Sequence, residues 1–447
     1  MRIAHASVLA GLLMANACAV AISTSADNIS RLERASAAKP ESEAAQRTLG
    51  IAYFQANRFA EARAALDRAA AMDPRDGVVA LYRGLTAEAE NDVLGARSAY
   101  EAYLLYGTTR DVKAQIAERL VIIARKENEL AAKEAIAREQ QLARVPGSPR
   151  TVAVLPFKFT GRDTSLAPLE RGFAELVATD LSRSPQLTVV ERERIQALLD
   201  EITLQQTVGV EAGTGVRAGR LLQAGRIVGG TISQLDSNQL RADAFVTNVQ
   251  TTATEGRGAN DQEALDQLFT LEKNIVLRLF TDLGVVLTTA ERNSIEQRPT
   301  RSLAAFLAYS RGLEFQDEGL FDAASRSFDA AVRLDPTFSA AQQRSRDAKS
   351  AAAGARVSVR SVQSRLRGTR EGAFVAAATQ GGVSATNAGG GGEAFAIADG
   401  LNPSVAGGAT SGSGVTPTQP QKDPSAGTGG DNVSTKTVTV TVVIHHP

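Results

Sequence analysis

Leu49-Gly-Ile-Ala-Tyr53 opens a pattern of small and large residues that continues through Ala62, Leu66, Ala69 and Pro74. Glycine and alanine at these spacings let two helices approach closely, and the larger side chains fill the holes between them. Proline ends the second helix because it has no backbone N–H. The pattern therefore predicts a pair of antiparallel helices.

The same pattern returns twice along the chain. A second copy has Gly84, Ala96 and Tyr100 at the matching offsets. A third copy lies near the other end and consists of Gly312, Phe315, Ala324, Phe328, Ala331 and Pro336. These offsets match the tetratricopeptide repeat (TPR). We therefore predict TPR repeats with a capping helix at residues 41–145 and a C-terminal TPR unit at residues 300–353.

A TPR array presents a concave groove that is lined by the first helix of each repeat. By repeat register, nine residues should face this groove and bind a partner protein: Arg47, Ile51, Phe54, Leu81, Leu85, Glu88, Tyr309, Leu313 and Gln316. The alternative for each of them is packing against the neighbouring domain. The repeat pattern is strong for fold, but it does not identify a ligand.

The character of the sequence changes at Thr151, where short β-type runs alternate with helical patterns. Strands are predicted at Thr151–Phe157 and Leu187–Val190, and an antiparallel hairpin at Arg226–Ile232 and Leu240–Val246. A long amphipathic helix is predicted at Gln262–Leu283, where leucine and isoleucine recur near helical spacing. This alternation indicates an α/β layer.

Three segments of this region carry a family resemblance: Val152-Ala-Val-Leu-Pro-Phe157, Leu187-Thr-Val-Val-Glu-Arg192, and Ala224-Gly-Arg-Ile-Val-Gly-Gly-Thr-Ile232 before a hairpin. Together they resemble the CsgG-like proteins of the bacterial envelope, named for the curli secretion component. The resemblance implies an α/β domain, at residues 150–298, that faces the periplasm and serves secretion or envelope assembly, often as an oligomer and without known catalysis. The pore-forming members carry long inserted hairpins, whereas the connections here are short, so we expect a relative that is not a pore.

The composition excludes several classes of function. The 447 residues include 49 Lys+Arg and 49 Asp+Glu, and this balance argues against nucleic acid as the main partner. Histidine occurs only at His5, His445 and His446, and cysteine only at Cys18. The predicted folded regions therefore lack the residues for Ser-His-Asp or Cys-His catalysis and for His/Cys zinc sites. We predict no enzyme activity, no catalytic residues, no cofactor and no metal.

Three other motifs receive structural interpretations. Gly213-Thr-Gly-Val-Arg-Ala-Gly219 has neither the dinucleotide nor the Walker spacing, so it is interpreted as a loop and helix start. Glu191-Arg-Glu-Arg194 lies at a helix start and is interpreted as solvated charge that complements the helix N-terminus. Asp200-Glu201 is interpreted as the outer face of an amphipathic helix.

The N-terminus has Met1-Arg2, an apolar run and small residues, as in a secretory signal peptide, which we place at residues 1–26. Cys18 falls where a bacterial lipoprotein carries its lipidated residue. The alternative is ordinary cleavage near Ala21 or Ala26. The expected location is the periplasm, with anchoring to the outer membrane if Cys18 is lipidated.

The C-terminal part has the composition of a disordered segment. Residues 354–447 hold 17 of the 38 glycines, mixed with Ala, Ser, Thr, Asn and Pro, and we predict a disordered tail. Its end, Thr435–Ile444, alternates Thr and Val like a strand and should pair with a sheet edge in its own chain or in a partner. The predicted fold class is thus α+β multidomain: an α/β CsgG-like domain between helical TPR segments, with a disordered C-terminal tail.

These features favour a non-enzymatic envelope scaffold that binds other proteins and supports secretion or assembly of surface material. The expected partners are envelope proteins such as an outer-membrane or secretion component, and peripheral membrane association and a homo-oligomer are compatible with this interpretation. The alternative function is an accessory regulator of an envelope enzyme, such as one acting on peptidoglycan. A third hypothesis is a hydrolase that uses only carboxylates, and no pair of carboxylates in the sequence favours it.

Overall fold

The computed structural model describes residues 26–205 and 213–380. Helices occupy both ends of this part and a mixed sheet lies in the middle, so the predicted fold class is confirmed. Residues 1–25 of the predicted signal peptide, which include Cys18, and the strand-like segment Thr435–Ile444 lie outside the described residues. Within the described ranges, every helix is too short or too polar to cross a membrane.

The N-terminal part is a stack of helix pairs in which short polar side chains start several helices. Ser42, Asp76 and Asp92 each accept a hydrogen bond from the backbone N–H three residues later. The helices are α1 (residues 26–38), α2 (Glu43–Gln55), α3 (Phe59–Met72), α4 (Gly77–Ala89), α5 (Val93–Tyr106), α6 (Arg110–Ala137) and α7 (Glu139–Leu142).

The glycines of the repeat pattern lie where two helices touch. A Cβ atom at Gly50 on α2 would lie only 2.6 Å from Cγ of Leu66 on α3. Gly84 on α4 faces the ring of Tyr100 on α5 in the same way. Only glycine permits these close approaches, so the sequence pattern has a direct packing cause.

A mixed sheet of six strands forms the middle of the chain. Its strands are β1 (Ser148–Val154), β2 (Lys158–Thr160), β3 (Thr188–Val189), β4 (Ala224–Gln234), β5 (Gln239–Asn248) and β6 (Thr254–Ala264). The order is β3-β1-β4-β5-β6, and β2 also pairs with β4. Strand β4 is parallel to β1 and antiparallel to β5, so the predicted hairpin is present.

Helices cover both faces of this sheet, and the alternation of β1 shows how. Val152 and Val154 point into one core with α8 (Leu169–Leu181) and α11 (Leu268–Asp282), whereas Ala153 points into another with α6, α9 (Arg192–Gln205) and α10 (Thr214–Leu221). A short helix, α12 (Thr289–Ile295), follows α11. The long α6 thereby connects the N-terminal repeats to the sheet.

The helix predicted at Gln262–Leu283 begins later than expected. The chain first forms β6, and α11 starts only at Leu268. The sequence of β6 is polar, so the alternating apolar residues that predict a strand are missing. The strand also contains Gly256 and Gly258, which both have φ angles of +71°. The strand forms because β5 supplies backbone partners from Gln239 to Thr247.

The C-terminal repeat unit continues the core of the α/β domain. Phe306, Leu313 and Phe328 belong to the same hydrophobic core as Val152 and Phe173. The helices are α13 (Leu303–Asp317), α14 (Phe321–Leu334), α15 (Ser339–Arg356), α16 (Val359–Leu366) and α17 (Arg370–Gln380).

The tail predicted from residue 354 begins too early, because α15, α16 and α17 continue the fold as far as Gln380. The glycine content that predicted the tail is not evenly distributed over residues 354–447. Only three of the 17 glycines precede residue 381: Gly354, Gly368 and Gly372. Val362 and Leu366 lie four residues apart and are buried. That spacing places both side chains on one apolar face of α16, and this face packs against the rest of the fold. Residues 381–447 lie outside the described part of the chain.

Candidate functional site

The six predicted groove residues of the N-terminal repeats lie on α2 and α4, but they are not open to solvent. Ile51 and Leu81 are fully buried, and Phe54 and Leu85 are nearly so. They share one hydrophobic core with side chains of α16 and α17: Val362, Leu366, Val375 and Ala378. We call the surface formed by α2, α4 and the start of α6 the repeat groove. The prediction of an open groove is corrected, because α16 and α17 of the same chain fill it.

Helix α17 presents one face to the repeats. Glu371, Val375 and Ala378 are buried and Phe374 is half-buried, a spacing that places all four on one side of a helix. Ala373 and Ala376, which lie between them, are exposed. At the far end of α17, Nδ2 of Asn28 on α1 donates a hydrogen bond to the Ala378 carbonyl, at 2.9 Å.

The carboxylate of Glu371 is the polar anchor of α17. It accepts hydrogen bonds from the Tyr103 hydroxyl at 2.9 Å and from the backbone N–H groups of Thr108 and Thr109 at 2.7 and 3.2 Å. The residue is only 5% exposed. Thr109 is the residue before α6, so the carboxylate lies at a helix N-terminus, where backbone N–H groups are free to donate.

Arg47 connects the repeat groove to the aromatic side chain of α17. Its guanidinium carbon lies 4.1 Å from the centre of the Phe374 ring. On its other side the same guanidinium forms ion pairs with Glu43 and Asp76. Burial raises the pKa of Glu43 to about 7, although Arg47 opposes the shift. Arg47, predicted to contact a partner, thus contacts the chain's own helix.

Glu88, the remaining predicted groove residue of α4, has internal partners. Its carboxylate accepts a hydrogen bond from the Tyr100 hydroxyl at 2.9 Å and forms an ion pair with Arg119 of α6. Arg119 also donates to the carbonyl of Gly354 at 3.2 Å. Glu88 therefore joins α4 to α5 and α6, and Arg119 extends the connection to α15.

The three predicted groove residues of the C-terminal unit face the α/β domain. Tyr309 packs among the rings of Phe306, Phe328 and Phe338, and Leu313 is fully buried in the same core. Gln316 is partly exposed, and its backbone carbonyl accepts a hydrogen bond from Arg125 of α6. For Tyr309 and Leu313 the structure matches the alternative interpretation, packing against the neighbouring domain.

A network of ion pairs joins the α/β domain to the C-terminal repeats. Arg192 at the start of α9 pairs with Asp317 at the end of α13 and with Glu175 of α8. Arg344 of α15 reaches Glu175 at 2.7 Å and Glu193 at 2.6 Å. The interpretation of Glu191–Arg194 as solvated charge is wrong for Arg192, whose side chain is 13% exposed.

The charges of this network fix the ionisation of Glu193. Burial alone would raise the pKa of Glu193, but the guanidinium groups of Arg192 and Arg344 outweigh it and lower the pKa to about 2. The carboxylate therefore stays ionised at neutral pH. A group held in this way serves structure and is unsuited to proton transfer.

A cleft of about 580 Å³ opens beside this network, between α6, α9 and the C-terminal repeats. Gln316, Phe321 and Leu204 line it, together with Asp200 and Glu201. The last two were predicted to lie on the outer face of α9, and the structure places them along this cleft. Burial raises the pKa of Asp200.

Among residues 26–205 and 213–380, no three His, Cys, Asp or Glu side chains are grouped so that they could hold a metal ion.

The residues that hold α17 in place were not predicted from the sequence. Glu371, Phe374, Val375 and Ala378 follow the i, i+3, i+4, i+7 spacing of an amphipathic helix, and that signal was available in the sequence. The contact between Glu371 and Thr108 joins residues that are far apart in the chain, so no local pattern reveals it.

Comparison with known families agrees with this architecture. Residues 132–267 match the model of the curli production assembly/transport component CsgG, and residues 26–88 match a model of the tetratricopeptide repeat. The chain therefore contains a CsgG domain and TPR-like repeats, as predicted.

Two further comparisons add little. The solved C-terminal domain of LpoB from Salmonella enterica is similar to 27% of this chain over 84% of its own length, at 14% identity and a TM-score of 0.21, which is too low to support an inference. No curated protein sequence matches the chain.

Proposed function

We propose that this chain is a non-enzymatic adaptor of the bacterial cell envelope, which supports secretion or assembly of surface material by binding other proteins. Two features support the proposal: the TPR-like repeats, which are a protein-binding architecture, and the CsgG domain, whose family is associated with the envelope. The envelope location further rests on the signal-peptide pattern at residues 1–26 and on Cys18.

The observation that carries the proposal is that the repeat groove holds a helix. This surface holds a helix through an apolar core, a buried carboxylate and an arginine–aromatic contact, which are the elements by which one protein recognises a helix of another. The continuous helix α6 contacts both the repeats and the α/β domain, so it connects a partner bound by the repeats to that domain.

The test is crosslinking in intact cells, followed by purification of the tagged full chain and identification of what accompanies it. An unrelated periplasmic protein with the same tag is the control. The adaptor proposal expects a stoichiometric outer-membrane or secretion component that the control does not recover. Recovery of the chain alone would overturn it.

If the stoichiometric partner is a peptidoglycan enzyme, the regulator function replaces the scaffold function as the proposal. In that case addition of the purified chain should change the rate of that enzyme. The scaffold proposal expects no such change.

A further inference from the structure

We propose that the repeat groove recognises a partner helix with the pattern Glu-x-x-Phe-Val-x-x-Ala, and that α17 is the chain's own copy of this ligand, which the partner displaces. The inference rests on the adaptor function proposed above and names the chemistry of its partner. It is argued from the four side chains by which α17 contacts the repeats: Glu371, Phe374, Val375 and Ala378.

The first requirement on the partner is a carboxylate in the first turn of its helix. Glu371 is met by two backbone N–H groups and a hydroxyl, and it is almost fully buried. Three donors and a helix N-terminus select a negatively charged acceptor. An amide in its place would present an NH₂ group to at least one of these donors, and an apolar residue would leave all three unpaired.

The second requirement is an aromatic ring one turn later. Phe374 lies beneath the guanidinium of Arg47, which Glu43 and Asp76 hold in position. A cation–aromatic contact is strongest when both groups are shielded from water, and Arg47 is 8% exposed. Small apolar residues complete the pattern, because Val375 and Ala378 fill the core formed with α1 and α2.

Displacement is feasible because the attachment of α17 is small. The helix has 11 residues, and an isolated helix of that length is marginal in water. It follows α16 after the turn at residues 367–369, in which Arg367 and Gly368 are exposed and Gly368 has a φ angle of +76°. The repeats thus hold α17 through one face, and its covalent attachment supplies the high local concentration that keeps it there.

The experiment measures binding of a fluorescent synthetic peptide with the sequence of residues 369–380 to the full chain. Wild type is compared with Glu371→Gln and Phe374→Ala, which weaken the hold on α17, and with Ala373→Ser on the exposed face as the matched control. We expect the two weakened chains to bind the peptide at least tenfold more tightly than wild type and the control. The same peptide with Gln in place of Glu371 should bind at least tenfold more weakly.

Hydrogen exchange of the α17 amides in each chain makes every result decisive. Faster exchange in the weakened chains without peptide binding would show that the groove does not accept a helix from outside. Unchanged exchange would show that Glu371 and Phe374 do not hold α17. Either result overturns the inference. An envelope partner captured in cells would still stand in both cases, so failure of the inference is distinguishable from failure of the adaptor proposal.

Discussion

Arg192, the first residue of α9, forms an ion pair with Asp317, the last residue of α13. Both side chains are largely removed from solvent, and Arg171 of α8 donates to the same carboxylate at 2.9 Å. The α/β domain and the C-terminal repeat unit therefore share charges as well as a hydrophobic core. We infer that these two parts unfold together.

Asp317→Asn should destabilise the protein strongly, because it removes the buried carboxylate that Arg171 and Arg192 share and leaves Arg192 with only its pairs to Glu175 and Glu193. Removal of one partner of a buried ion pair costs about 3–5 kcal/mol. Urea unfolding measures the loss. The control is Asp322→Asn, which removes the exposed ion pair with Arg356 and should cost less than about 1 kcal/mol. Equal losses in the two variants would contradict the structural role of Asp317.

Gly312→Ala should lower the free energy of unfolding by about 1–2 kcal/mol, although alanine is the better helix former. The added methyl group would lie 2.5 Å from the ring of Phe328, so α13 and α14 must move apart. Gly213→Ala is the control, since a Cβ there would meet nothing within 4 Å. Thermal unfolding of the two variants compares them, and a stabilised Gly312→Ala would show that the helix contact is looser than described.

The sequence predicted those parts of the fold whose causes are local. Gly50 and Gly84 revealed the repeats because each must be small where its own helix pair touches, and Val152 and Val154 revealed β1 because they face a core. Strand β6 was missed because it depends on an edge that β5 provides.

The candidate site was predicted only in part, for the same reason. Its position on α2 and α4 follows from repeat register, but its occupant is α17, which lies more than 280 residues away along the chain. Arg192 was interpreted as solvated because its partner Asp317 lies 125 residues away. Such pairings depend on the whole fold.

Stability should decrease as pH rises from about 5 to 8, and Glu272 should be one cause. Burial raises the pKa of Glu272 from 4.5 to about 8, although Lys273 lies 3.0 Å away, and the Asp180 carboxylate adds to the rise. Between these two pKa values the unfolded chain releases a proton that the folded chain retains. The contribution is therefore complete below pH 4.5 and is lost as pH rises through 8.

Glu272→Gln isolates this contribution, because glutamine does not titrate. Urea unfolding at pH 5 and pH 8 should show a decrease in the free energy of unfolding that is about 1–3 kcal/mol larger for wild type than for the variant. Comparing the two proteins removes the effect of other groups such as Glu43. Parallel pH profiles would mean that Glu272 ionises normally in the fold.

Tyr103→Phe should make local opening of α17 more frequent without changing that of the sheet. The change removes one of three hydrogen bonds to Glu371 and keeps the ring that fills the core beside Gly107. A hydrogen bond to a charged group contributes about 1.5–3 kcal/mol, so the α17 amides should exchange about tenfold faster or more. Amides of β4 and β5 should exchange as in wild type, because α17 belongs to a different hydrophobic core. Tyr106→Phe, at a tyrosine that is 40% exposed, is the matched control and should change neither rate. Faster exchange throughout the chain would show that α17 is an integral part of the fold, and the repeat groove could then not release it to a partner.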